Sequence, residues 1–128
     1  MQYKGKCYYR STVNSAGFLE ACGYCETLNA TLYSPNNAEE KKYIGTKLFP
    51  NVWVWLGGRE SLHQKRMFTW LNGNSLDGTL VKYYYCDPAF CCALSAPNVN
   101  DYYAYPCNTP SRKALCVKEG SVSGTTSV

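Results

Sequence analysis

The stretch FLEACGYCETL, residues 18–28, decides how the rest of the chain is read. Phe18, Ala21, Cys22, Cys25 and Leu28 recur at spacings of three and four, which is one face of a helix. Glu20 and Glu26 lie on the polar side, and Asn14 or Ser15 stands where a cap belongs. Gly23 weakens the helix without abolishing it.

Working outward, KCYYRS (residues 6–11) has the tyrosine content of a strand. On the other side, YSPNN leads into a second helix, where Asn36 with Glu39 or Asn37 with Glu40 makes a capping box. Ala38, Tyr43, Ile44 and Leu48 continue its apolar face until Pro50 ends it. From Val52 the period shortens. VWVWLGG, RMFTWLNGN with an Asn72-Gly73 turn, LVKYYY, CCALS and KALCVKE read as short strands. The order of one strand, two helices and several strands predicts an α+β domain, with helices flanking small antiparallel sheets joined by long loops. Residues 1–119 form this domain, and the Gly/Ser/Thr-rich residues 120–128 read as a flexible tail or linker.

Composition narrows the class. The 128 residues suit one domain, and the charge of +4 is mild. Basic residues come in scattered pairs (Lys41-Lys42, Lys65-Arg66, Arg112-Lys113) and form no stripe, so no nucleic-acid footprint is present. The longest apolar run, Val52 to Leu56, is too short for membrane insertion. Met1 is followed at once by polar and strand-like residues, which reads as a start in front of a mature domain without a signal peptide. Eight cysteines imply disulfides and an oxidising, secreted or extracellular setting, because a zinc site would need paired motifs and only Cys22–Cys25 has that spacing. The chain is disulfide-stapled, although eight cysteines allow 105 pairings. His63, alone in the charged run ESLHQKR, has no nucleophile partner, and the sequence contains no enzyme motif. Asn29-Ala30-Thr31 is an N-glycosylation acceptor.

Several motifs then fall in the order of one family. FLEACGYCETL, SPNNAEEKKYI, WLGG, FTWLNG, CCALS, VND and ALCVKE together resemble a C-type lectin-like domain over roughly residues 5–119. The resemblance implies two bridges, Cys25 with Cys116 and Cys91 with Cys107. Cys7, Cys22, Cys86 and Cys92 remain, and Cys7 with Cys22 and Cys86 with Cys92 is the expected pairing. It also implies recognition of a carbohydrate. In calcium-dependent members the sugar sits on a Ca²⁺ ion, which takes six to eight hard oxygen ligands. The matching positions here are Asp87 in CDPAF and Asn100 and Asp101 in VND. Ala89 supplies no side-chain oxygen, the loop between Trp70 and Cys91 is short, and five residues separate Asp101 from Cys107 where the family has about two. Asn100 and Asp101 also serve simply as turn formers.

The tyrosines offer another surface. The chain has twelve, clustered at Tyr83 to Tyr85 and at Tyr102, Tyr103 and Tyr105. Strand alternation puts Tyr84 opposite Tyr83 and Tyr85, and the second cluster reads as a loop. Asp87, Asn100, Asp101, Tyr102, Tyr103 and Tyr105 form the expected binding surface, for a glycan or for a cell-surface or extracellular protein. Adhesion within a structural matrix is the remaining reading.

Overall fold

The computed structural model describes residues 1–86, 91–98 and 100–119. Asp87 and the tail at 120–128 therefore lie outside the described residues. Among the described residues, ten strands and two α-helices follow one another as β1 Gln2–Tyr3, β2 Lys6–Ser15, α1 Phe18–Thr27, β3 Thr31–Leu32, α2 Ala38–Leu48, β4 Val54–Glu60, β5 Met67–Trp70, β6 Ser75–Asp77, β7 Tyr83–Tyr84, β8 Cys92–Ala96, β9 Tyr103–Pro106 and β10 Arg112–Glu119.

Both expected helices form, with their starts corrected. Asn14 and Ser15 do not cap α1, because β2 runs on to Ser15 along β10. The cap position is Gly17, where a Cβ would stand 2.5 Å from the Cys107 carbonyl oxygen. In place of a side-chain cap, Glu20 Oε1 accepts from Ala16 N at 2.5 Å. At α2 the alternative resolves to Asn37, whose side chain accepts from Glu40 N at 2.7 Å while the Glu40 carboxylate accepts from Asn36 N at 3.1 Å. Glu40 also accepts the Tyr33 hydroxyl at 2.7 Å, which is how a carboxylate comes to be buried on this helix.

The strands pair in the order β1-β2-β10-β4-β8-β9-β7, with β3 beside β10 and the β5–β6 hairpin on the far end of β4. Two pairs are parallel, β4 with β10 and β7 with β9. Strand alternation splits the core into two layers. Val54 and Leu56 of β4 enter a cluster with Tyr33, Ile44, Phe49, Trp70 and Leu94, on the side of α2. Trp55, between them, enters a second cluster with Phe18, Ala21, Cys25, Ala114 and Cys116, on the side of α1. One helix thus covers each face of the sheet.

Three disulfides form, each within one of these clusters: Cys25–Cys116 and Cys91–Cys107 on the side of α1, and Cys86–Cys92 on the side of α2. The Cys7–Cys22 pairing is overturned, since both thiols are free. Cys7 lies opposite Gln2 and Lys118 at the β1 end of the sheet, whereas Cys22 packs on the flank of α1 beside the Phe18–Trp55 cluster.

Candidate functional site

The helix α1 packs against β10, β3 and β2. At ten residues it is roughly 15 Å long. On that face of the sheet, the β9–β7 end carries tyrosines instead. Of the cluster read as a loop, Tyr103 and Tyr105 lie in strand β9, whose backbone pairs with β8 on one side and β7 on the other, while Tyr102 stands just before the strand. Pairing puts Tyr103 and Tyr105 on one face and buries Ala104 on the other. In β7 the alternation is as expected: Tyr84 turns away and donates its hydroxyl to Glu60 Oε2 at 2.6 Å, leaving Tyr83 and Tyr85 exposed.

The parallel register sets Tyr83 beside Tyr103. The result is a two-by-two grid of rings. Along the strands, Tyr83 and Tyr85 stand 5.8 Å apart at 21°, and Tyr103 and Tyr105 stand 6.4 Å apart at 8°. Across the strands, Tyr83 meets Tyr103 at 5.1 Å and Tyr85 meets Tyr105 at 4.9 Å. Because β7 is the last strand of the sheet, the outer rings are 45% and 50% exposed while the inner rings are half-buried.

Two residues that the sequence did not point to hold the grid from behind. Trp53 meets Tyr103 and Tyr105 edge-on, at 5.0 and 5.7 Å. The Arg112 guanidinium lies between Trp53 and Tyr105, 4.4 and 4.2 Å from their centroids. It is buried, donates to Ser95 Oγ and the Pro110 carbonyl, and is stabilised by the negative faces of the rings. Burial lowers its pKa, and Tyr105 opposes that shift.

Asn100, Asp101 and Tyr102 go elsewhere. Asn98 Oδ1 accepts from the backbone N–H of Asn100 at 2.8 Å and of Asp101 at 3.0 Å, the side-chain-closed turn that these residues favour. Asn98 Nδ2 donates to Asp101 Oδ2 at 3.2 Å. Tyr102 is half-buried against Trp70, 5.7 Å between ring centroids, and does not join the tyrosines of the grid. Burial pushes its hydroxyl up to about 12.

Two lysines approach the same turn. Lys41 of α2 is only 3% exposed; its Nζ donates to the Asp101 carbonyl at 3.4 Å and lies 3.7 Å above the Tyr102 ring. Burial lowers its pKa to about 8, against a smaller raising effect from Asp101. Lys82 Nζ stands 3.8 Å from Asp101 Oδ2. A divalent cation at Asn100 and Asp101 would share the turn with two ammonium groups. Among the described residues, no cluster of three or more His, Cys, Asp or Glu side chains is placed to hold a metal. Among the described residues, those at this turn therefore form a lysine-balanced turn and not a Ca²⁺ ligand set; Asp87, the third candidate ligand, lies outside the described residues.

Comparison with known proteins agrees with this architecture. Residues 14–118 match the Lectin C-type domain family model. No curated protein sequence matches the chain. Among solved structures, the carbohydrate-recognition domain of human scavenger receptor C-type lectin superposes with a TM-score of 0.73 at 21% identity, covering 93% of this chain and 95% of that one. Its mouse counterpart gives 0.71 at 20% identity, covering 94% and 95%. The cow C-type carbohydrate-recognition domain of CD23, solved in the presence of GlcNAc2Man3 oligosaccharide, gives 0.71 at 19% identity, covering 92% and 91%. At these identities the likeness is one of fold.

Proposed function

This chain belongs to the C-type lectin domain family, and from that premise we propose that it is an extracellular module that binds carbohydrate on the tyrosine grid, without calcium. Domains of this family are recognition modules and not enzymes. The observation that carries the reading is the grid itself. Tyr83 and Tyr85 present near-parallel rings at the sheet edge, backed by Tyr103, Tyr105, Trp53 and Arg112. Sugar rings have an apolar C–H face and polar hydroxyl edges. Tyrosine complements both, with a rigid ring for the face and a hydroxyl for the rim. Rings already packed on one another lose little rotamer freedom on binding, so the surface is preorganised. The lysine-balanced turn supports the absence of metal. The three disulfides support an oxidising compartment.

Retention on immobilised glycans tests this reading, using the oxidised protein in EDTA. Each outer ring contributes about 1 kcal/mol. The Tyr83→Ala/Tyr85→Ala double variant is therefore expected to bind roughly 30-fold more weakly. Glycan binding that disappears in EDTA, or that survives the double variant intact, overturns it.

A further inference from the structure

The acceptor sequence Asn29-Ala30-Thr31 sits on the side of the molecule served by β3 and β10, away from the tyrosine grid at the β9–β7 end of the sheet. Asn29 closes the turn after α1 with φ +57°, a left-handed conformation that asparagine tolerates well, and its backbone N–H donates to the Glu26 carbonyl at 3.0 Å. Its side chain is exposed and, among the described residues, makes no hydrogen bond. Thr31, two residues on, is also exposed, while Ala30 between them is buried. Both side chains that the acceptor reaction needs are thus free, and the backbone that holds them is anchored.

Asn29 also lines a groove of about 810 Å³ between the N-terminal strands and the β5–β6 turn. That volume lies within the range of small-ligand sites. Its lining mixes apolar and amide-bearing groups: Leu71 is half-exposed, Val117 and Ser34 form part of the wall, and the Asn72 amide donates to Asn36 Oδ1 at 3.1 Å. N-acetylated hexosamines display the same mixture, an apolar ring face together with an amide and hydroxyls.

We propose that Asn29 carries an N-linked glycan whose proximal N-acetylhexosamine residues lie in this groove. In the attachment step, Asn29 Nδ2 attacks the anomeric carbon of an oligosaccharide carried on a polyprenyl pyrophosphate. The C1–N bond forms as the C1–O bond to pyrophosphate breaks. The amide loses one proton and the lipid pyrophosphate leaves. The modification goes beyond carbohydrate recognition by the grid and does not obstruct it.

The test is secretion of the full chain behind a cleavable secretion leader from a eukaryotic host, with Thr31→Ser as the sequon-preserving control and Thr31→Ala as the unglycosylated form. Mass spectrometry of the Asn29 peptide is expected to show a glycan on wild type and Thr31→Ser and none on Thr31→Ala. If a form is not secreted, translation with microsomes reads the same modification. Cys7 lines the groove and reports its occupancy. In a Cys22→Ser background, maleimide labelling of Cys7 is expected to be at least about 5-fold slower in the glycosylated protein than in Thr31→Ala. An unmodified Asn29 in folded, secreted or microsomal protein overturns the proposal. Equal labelling rates would overturn the placement of the sugars in the groove.

Discussion

Lys41 is the sharpest point at which to test the electrostatics of the Asn98–Tyr102 turn. Its ammonium is buried under α2, with one carbonyl and one ring face for company, and burial brings its pKa from 10.5 to about 8. The sign follows from proton counting. Between pH 8 and pH 10.5 the unfolded chain keeps a proton at Lys41 that the folded chain releases, so stability rises with pH across that window. The full difference is about 3 kcal/mol, of which about 2 kcal/mol falls between pH 7 and pH 9.5. For a domain of this size that is roughly 8 °C in melting temperature. Tyr8 and Tyr102, raised to about 12, work in the opposite sense, but only above pH 10, where the unfolded chain gives up its tyrosine protons. The experiment compares urea midpoints at pH 7 and pH 9.5 for Lys41 and Lys41→Met, both in a Cys7→Ser/Cys22→Ser background. Those serines prevent thiol exchange at high pH. They also remove the Cys22 thiol, which burial pushes up and which would subtract stability above pH 9. The Lys41 protein should gain stability and Lys41→Met should stay flat. Parallel profiles would refute the buried ammonium.

Other outcomes follow from the same geometry. Millimolar Ca²⁺ should leave the melting temperature within about 1 °C of its value in EDTA, since a ligand that binds only the folded state must raise it; a clear rise specific to Ca²⁺ over Mg²⁺ would refute the lysine-balanced turn. Removing the Cys25–Cys116 bridge, with its sequence separation of 91, should cost about 4–5 kcal/mol, whereas removing Cys86–Cys92, with a separation of 6, should cost about 2 kcal/mol, as read by denaturant titration. Gly58→Ala would place a methyl 2.8–2.9 Å from the Leu94 and Trp70 side chains and should lower stability by about 1–3 kcal/mol. Arg112→Lys loses the planar group between Trp53 and Tyr105 and should weaken glycan retention several-fold with the charge unchanged.

Local patterns were legible wherever one element carried its own signal. The three-and-four spacing of Phe18, Ala21 and Cys25 is the buried face of α1, and Asn37 with Glu40 is the cap of α2. The alternation at Tyr83–Tyr85 was legible for the same reason. Tyr103 and Tyr105 were misread as loop residues because their strand character comes from the partners on either side, β8 and β7, and not from their own sequence. Trp53 and Arg112 carried no signal, since in sequence a stacked, buried arginine reads the same as one on the surface and a tryptophan reads the same whether or not it stacks.

By itself the sequence determined the two helices and the likeness to the family, because periodicity and ordered motifs are properties of a linear string; the pairing of Cys25 with Cys116 and Cys91 with Cys107 was implied by that likeness and is seen in the structure. Only the tertiary structure decided the site. The grid exists because a parallel register brings Tyr83 and Tyr85 onto Tyr103 and Tyr105 from about twenty residues away, beyond the strands that α1 covers. Likewise α2, some sixty residues earlier in the chain, places the Lys41 ammonium at the Asp101 carbonyl. Both are long-range placements, set by how layers pack and not by what neighbours what along the chain.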